Sequence, residues 1–282
     1  MNTKRTFTQT FFRNRTAVIG LIGVVIIAAL GILAPVLREY PSGYGPDLYN
    51  PPSAKFPFGT DALGLDVFAE VIYGSRTSFY VSLMAVAVAS LIGIPAGLIS
   101  GYYKGWIGEI IDSTVDIFLT LPVLPLMIVI AAIVGSSITN VAIVIGLLAW
   151  PSLARITRNS TMKVTEMQYI EAARSLGIPS GSILFKHIFL NVAGPVLVNL
   201  TLVMATAVLS ESGLSFLGLG DPSTWSWGTI LKKAWDTGAV IDTPNPWWWW
   251  LSPSLFITMY VVCFNLLGTG INDTLNPKNR ED

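Results

Sequence analysis

The sequence predicts an all-α polytopic membrane protein with about six transmembrane helices and one polar helix–turn–helix on the cytoplasmic side. Three observations carry this. Only 12% of the 282 residues are charged and 52% are hydrophobic, half the charged fraction of a typical soluble domain. Mean hydropathy is +0.61. Stretches without Asp, Glu, Lys or Arg recur at lengths that match the roughly 20 residues a helix needs to cross a hydrocarbon core of about 30 Å. These stretches lack alternation and are too long for strands, which argues against a closed barrel.

Thr16–Leu37 is the first apolar stretch, preceded by Lys4, Arg5, Arg13 and Arg15. It is long for a signal peptide and lacks a small-x-small site at its end, so it reads as a retained anchor. Thr77–Tyr103 is the second. Ile117–Ala154 is long enough for two short spans, with GSSITN (Gly135–Asn140) as the turn between them. Ile188–Ser210 follows, and Thr243–Asn272 is the last, its apolar part beginning near Trp247. By these stretches the chain divides into an N-terminal anchor span with an outer loop (1–76) and a transmembrane bundle (77–282). Pro95, Pro122, Pro125 and Pro195 interrupt spans. Each removes a backbone hydrogen bond, which fits either bundle packing or hinges around a cavity.

With the N-terminus in the cytoplasm, the inside segments hold Lys4, Arg5, Arg13, Arg15, Lys104, Arg155, Arg158, Lys163, Arg174, Lys186, Lys278 and Arg280. The outside segments hold Arg38, Lys55, Arg76, Lys232 and Lys233. This split of 12 to 5 follows the positive-inside rule and puts both termini in the cytoplasm. Trp247–Trp250 fall at the outer edge of the last span and read as an interfacial aromatic belt. Two long outer loops, Arg38–Arg76 and Glu211–Pro246, are rich in Gly, Pro and aromatics. They are long enough to cap a cavity or meet a partner.

YIEAARSLGIPSGSILFKHI (Tyr169–Ile188) is the polar segment, set between spans four and five. The first helix is expected to continue from span four through Arg155 and Arg158 to Leu176. Gly177 suits the left-handed position after a helix end, with Ile178 supplying the apolar contact. Ser180 is the expected N-cap of the second helix, and Pro179 keeps the first from continuing. Glu171 and Arg174 are spaced to pair, and Ala172 and Ala173 are small enough for another helix to approach closely. An ordinary inter-span loop would have the same shape.

The residues do, however, resemble a known family. Glu171-Ala172-Ala173, three residues, then Gly177 and an apolar continuation is similar to the EAA loop of ABC-importer permeases. FFRNRTAVIGLIGVVIIAALGILAPVL (Phe11–Leu37) resembles the first span of C-type subunits in the dipeptide/oligopeptide/nickel branch. FGTDALGLDVFAEVIYGSRTSFYVSL (Phe58–Leu83) and WPSLARITRNSTMKVTEMQYIEAARSLG (Trp150–Gly177) resemble its later blocks, as do ESGLSFLGLG (Glu211–Gly220) and WSWG (Trp225–Gly228). The blocks run in the family's order over nearly the whole chain. Two departures stand out: Leu65 replaces the Arg of the usual Gly-Arg-Asp, and Phe189-Leu190 stand where the family often has Leu-Pro.

The resemblance implies a permease subunit of an ATP-driven importer for di- or oligopeptides in the cytoplasmic (inner) membrane, or for nickel or another small solute. It implies a homologous second permease, two ATPase subunits or domains carrying ATP and Mg, and an extracytoplasmic solute-binding protein. Glu171, Ala172, Ala173, Arg174, Gly177, Ile178 and Ser180 would then form the ATPase-docking coupling loop. Glu211, Ser212, Gly213, Phe216, Gly218, Trp227 and Gly228 would contribute to an outer gate.

The residues exclude several other classes. No G-x-x-x-x-G-K-[ST] stretch cradles a phosphate, so the chain reads as a non-enzyme that binds no cofactor itself. One histidine, His187, and one cysteine, Cys263, provide no metal cluster and no catalytic triad. Zero net charge gives no sign of a nucleic-acid partner. An independent secondary carrier would need more intramembrane charge: Asp112 and Asp116 read as solvated helix ends, and Glu211 as either structural or gating.

Overall fold

In the computed structural model of the chain, residues 7–103, 105–241 and 245–275 are described. Lys4, Arg5, Lys104, Lys278 and Arg280 of the charge count, and the start of the last stretch at Thr243, lie outside them. The described residues form helices and loops, with a single isolated β-bridge between Thr60 and Asp66.

The short α1 (Phe7–Arg13) leads into α2 (Arg15–Leu37). Asn14 caps α2 by accepting from the amides of Thr16 (3.0 Å) and Ala17 (3.3 Å), which satisfies two of the free donors at a helix start. A loop then runs to Asp66, whose carboxylate caps α3 (Val67–Tyr102) through the Phe68 amide at 3.0 Å. At 1.5 Å per residue α3 is about 54 Å long, more than a bilayer core requires. It runs unbroken across residues 76 and 77. Next come α4 (Trp106–Thr120), α5 (Val123–Val134) and α6 (Ile138–Thr165).

Where the third span is expected, the chain forms a pair of helices, α4 and α5, bent by 90°. Pro122 sits at the bend as the residue before α5, where its missing amide costs no helical bond. The turn from α5 to α6 is shorter than Gly135–Asn140: Gly135 takes φ +95° and helix resumes at Ile138. Beyond α6 come α7 (Gln168–Ser175), α8 (Ser180–Phe216, with a π-helical stretch at Ile183–Ile188), α9 (Trp227–Asp236) and α10 (Trp247–Leu275). Five helices (α2, α3, α6, α8 and α10) are long and apolar enough to cross a membrane, and the bent pair makes up to six.

Packing is tightest between α3 and α6. Gly93, Gly97 and Gly101 recur every fourth residue on one face of α3. A Cβ at any of them would run into α6 at Trp150, Ala154 or Thr161. Small residues at this spacing let two backbones approach in lipid, where dispersion contacts rather than water drive association.

Three apolar clusters stack along the bundle. One, at the end that the charge count assigns to the outside and labelled outer on that basis, gathers Trp225, Trp227, Trp249, Phe256 and Tyr260. A middle one holds Val81, Ala85, Val141 and Ile145. An inner one holds Leu98, Leu153, Ile170, Ala173, Ile183 and Ile188.

The tryptophan run serves more than an interfacial belt. Trp249 is buried in the outer cluster, and Trp248 donates its indole N–H to the Thr60 carbonyl at 3.1 Å. Successive helical residues point about 100° apart, so four in a row cannot all face lipid.

Candidate functional site

The polar segment forms a compact helix–turn–helix, with two corrections to its expected shape. The first helix does not continue from α6 to Leu176. It breaks after Thr165, and α7 starts afresh at Gln168. The break lets α7 turn so that Ile170 and Ala173 enter the inner cluster. Ser180 is not an N-cap: Pro179 occupies the cap position, and Ser180 is the first helical residue.

The glycine turn forms as expected. Gly177 has φ +74°. The Ile178 amide donates to the Ala173 carbonyl (3.2 Å) and the Gly177 amide to Arg174 (3.0 Å), the paired bonds of a Schellman motif.

This geometry separates the segment's residues into two sets. Ala173 and Ile170 are buried and hold α7 to the protein's own core, and Ile178 is half-buried beside them. Glu171, Ala172, Gly177 and Ser180 are exposed, as are Leu176 (81%) and Phe185 (68%). Arg174 does not pair with Glu171. Its guanidinium lies over the Tyr102 ring, 4.7 Å from the centroid, tying α7 to the end of α3. His187 is half-buried, and its carbonyl accepts from the Asn191 side chain at 2.6 Å.

At the other end of the bundle, the outer-loop residues fall into a buried knot and an exposed helix end with its turn. Glu211 is fully buried and accepts from Ser215 Oγ (2.7 Å) and Ser212 Oγ (3.4 Å). Gly228 packs on the Ser212 backbone. The buried Trp227 donates its indole N–H to the Val71 carbonyl at 3.0 Å. Gly213, Phe216 and Gly218 are exposed. Gly218, at φ +85°, ends α8 with the same paired bonds as Gly177: Leu219 N–H to the Leu214 carbonyl (2.9 Å) and Gly218 N–H to Ser215 (3.0 Å). A cleft of about 190 Å³ opens alongside, lined in part by Ser215, Gly220, Thr229, Lys232 and Lys233. The two outer loops are bonded together, Trp225 Nε1 to the Pro41 carbonyl (2.9 Å) and Tyr40 Oη to Ser223 (3.2 Å).

Two charged groupings go beyond the pairings expected from the sequence. Asp112 and Asp116 are not merely solvated helix ends. They form ion pairs with Arg158 and Arg155, joining α4 to α6. The legible signal was spacing: i, i+4 on one helix faces i, i+3 on the other. Under the outer loops, Asp61 and Glu70 are buried close to Lys233. Asp61 Oδ1 accepts from the amides of Leu63 (2.8 Å) and Leu65 (2.7 Å). Its Oδ2, both Glu70 oxygens and Trp249 Nε1 are buried without a well-formed hydrogen bond.

Burial pushes the Asp61 carboxyl above the usual carboxylate range, against the opposing pull of the Leu65 and Leu63 amides, Glu70 and Lys233. Burial likewise lowers the Lys233 ammonium, with Glu70 and Asp61 pulling the other way. Asp66 is raised by burial, opposed by the Phe68 amide and then by Arg38, whose guanidinium stands 3.3 Å away. Leu65, at the position of the missing arginine, is buried in the outer cluster.

The fold is shared with a chain of the methionine ABC transporter MetNI in its inward-facing conformation. The TM-score is 0.53 at 18% sequence identity, covering 71% of this chain and 96% of that one. The architecture is thus one found in a chain of an ABC transporter. Sequence relatives narrow it. The dipeptide transport system permease protein DppC of Alkalihalophilus pseudofirmus is 36% identical over 269 residues, covering 94% of this chain and 87% of the relative. The glutathione transport system permease protein GsiD of Pectobacterium atrosepticum is 34% identical over 278 residues (97% and 91%). The oligopeptide transport system permease protein OppC of Bacillus subtilis is 34% identical over 275 residues (96% and 88%).

Residues 93–281 match the family described as binding-protein-dependent transport system inner membrane component. Residues 5–52 match the N-terminal transmembrane domain of oligopeptide transport permease C. The chain belongs to the binding-protein-dependent transport system inner membrane component family.

Proposed function

We propose that this chain is the C-type permease subunit of an ATP-driven importer of di- or oligopeptides, and that α7 and the turn after it are its ATPase-docking segment. The peptide class follows the relatives named above. The observation that carries the docking role is the two-sided build of α7. Ile170 and Ala173 are anchored in the core, while Glu171, Ala172 and Leu176 face outward on a turn fixed by Gly177. A surface that transmits force must be both accessible to a partner and rigidly joined to the bundle, and α7 meets both conditions.

In this reading the membrane is the cytoplasmic (inner) one, both termini face the cytoplasm, and a homologous second permease completes the path. Two ATPase subunits or domains supply ATP and Mg, so this chain binds no cofactor. Closure of the ATPases moves α7, and hydrolysis resets it. An extracytoplasmic solute-binding protein delivers cargo to the outer loops. The Glu211 knot with Ser212, Trp227 and Gly228 is the fixed part of the outer gate, and the helix end at Gly213 and Phe216 with the turn at Gly218 is its exposed rim.

The test is Ala172→Arg in the co-expressed transporter. It places a long charged side chain on the exposed face while leaving the core contacts of Ala173 intact. Membrane insertion should be normal, with co-purification of the ATPase and uptake both lost. Wild-type uptake with the ATPase still bound would remove the docking role from α7.

A further inference from the structure

The bent pair α4/α5 is attached to the rest of the bundle through α6, which both helices touch, through the end of α3, which α4 touches as extensively, and through a smaller contact of α5 with α8. Its polar attachment is a short ladder. Asp112 pairs with Arg158 and Asp116 with Arg155, and one step further out the Phe118 ring meets Trp150 at 5.5 Å in an edge-on contact. Numbers rise on α4 as they fall on α6, as antiparallel helices require.

Measured from Ile138 at 1.5 Å per residue, Arg155 and Arg158 lie about 26 and 30 Å along α6. That is the inner edge of a hydrocarbon core of about 30 Å, where an unpaired charge is costly and a paired one favoured. Arg158 Nε is itself buried and unpaired, so Asp112 is the partner holding that guanidinium.

The inner half of α6 continues the connection. Leu153, Ala154 and Val164 share the inner cluster with Val115 of α4 and with Ile170 and Ala173 of α7. The α3–α6 glycine seam and the Arg174–Tyr102 contact close the unit. The inner end of the molecule is thus one packed body comprising α7, the inner half of α6, the end of α3 and α4. Beyond it α5 packs Met127 into the middle cluster, buries Ala131 as well, and leaves Leu124, Val129, Ile133 and Val134 exposed.

We propose that Asp112 and Asp116, through Arg158 and Arg155, are positioning residues that fasten α4/α5 to the lever carrying α7, so that displacement of α7 is delivered to α5. The proposal rests on the docking role of α7. Neither carboxylate is required to touch cargo or nucleotide. Their work is to keep α4 moving with α6.

The experiment uses the complete transporter in liposomes with its binding protein. It measures import of a defined pool of di- to pentapeptides and ATP hydrolysis in the same vesicles. In a complex otherwise free of reactive thiols, with Cys263→Ser in this chain, Asp116→Cys and Arg155→Cys are introduced together. The expected result is normal assembly, retained ATP hydrolysis and a fall of about tenfold in peptides imported per ATP, within the range of coupling changes seen on mutation. Bridging the two thiols with a short reducible bis-thiosulfonate linker restores coupling, and reduction removes it again. A role in lining the path, or in folding alone, would not be rescued by a covalent bridge.

Unchanged import per ATP before bridging, or no recovery after it, overturns the brace. If the dithiol variant fails to assemble, Asp112→Asn with Asp116→Asn keeps the side-chain size. Wild-type import per ATP in that variant overturns the proposal equally. A wild-type complex that holds no ATPase, or imports none of the pool, instead strikes down the functional reading and the brace with it.

Discussion

Replacing Asp61 with Asn should stabilise the transporter at neutral pH. Asp61 is 1% exposed, and its two oxygens do different work. Oδ1 accepts from the amides of Leu63 and Leu65, and an asparagine Oδ1 keeps both bonds. Oδ2 has no well-formed hydrogen bond and faces the Glu70 carboxyl closely enough to share a proton with it. Asparagine puts an NH₂ there, removing a buried charge and supplying a donor to Glu70. One unsatisfied buried polar group costs about 1–3 kcal/mol, so a net gain of about 1–2 kcal/mol is expected. The weakened attraction to Lys233 works against it. That attraction is the smallest of the contributions to the Asp61 titration and burial the largest, so the gain wins.

At about 2–4 °C per kcal/mol for a chain of this size, the apparent Tm should rise by about 2–8 °C. The pH dependence has a definite sign. A carboxyl raised in the folded state contributes stability that is full below its ordinary range near 3.8 and is lost as pH rises through the raised value. The variant's advantage should therefore be largest at neutral pH and shrink toward pH 4. Scanning fluorimetry of the purified complex at several pH values measures it. A variant less stable than wild type at pH 7.5, or one whose advantage is the same at pH 4.5, would refute the reasoning.

Two further predictions follow from glycine geometry. Gly177→Ala meets no neighbouring atom, so its cost is purely the left-handed backbone at φ +74°, about 1–2 kcal/mol. Uptake should fall with insertion unchanged, and Gly177→Asn should recover part of it. Gly97→Ala drives a methyl into the Ala154 carbonyl and Thr157 of α6 and should cost about 1–3 kcal/mol. Gly181→Ala, with nothing within reach, should leave thermal stability unchanged or slightly raised; equal effects at residues 97 and 181 would argue against the α3–α6 seam.

What could be read in advance divides by the range of the interaction responsible. The Gly177 turn was legible because a left-handed position, an apolar residue after it and a proline are all local. The break at Glu166–Met167 was not: no glycine or proline marks it, and it exists because Ile170 and Ala173 must swing into a cluster built from Leu98, Leu153 and Ile183. The role of Ser180 was misread for a local reason. Serine is the commoner cap, yet Pro179 already holds that position and its φ of −57° leads into the helix. The bend at Pro122 was visible only as an interruption, because proline fixes its own φ without fixing the direction of the next helix.

Charge was the least legible feature. In a sequence with few ionisable residues, each one at a span boundary looks like an end marker, and its partner can lie on any other span. The two ends of the bundle then differ in kind. At the inner end, Asp112 and Asp116 each find an arginine across a helix interface, which makes α4, α6 and α7 hard to separate. At the outer end, the Asp61 and Glu70 carboxyls are buried against each other, with one half-buried lysine and the Trp249 N–H beside them and no well-formed bond among them. Burying unpaired carboxylates lowers the cost of opening the contacts around them. On the reading proposed above, force enters at the inner end and must arrive undissipated, while the outer loops must part to admit cargo. A tightly paired lever below a weakly held cover suits that division of labour. It also gives the two sets of variants opposite signatures: loosening the lever at Asp116 should lower peptides imported per ATP, whereas tightening the cover with Asp61→Asn should raise Tm while slowing the uptake rate.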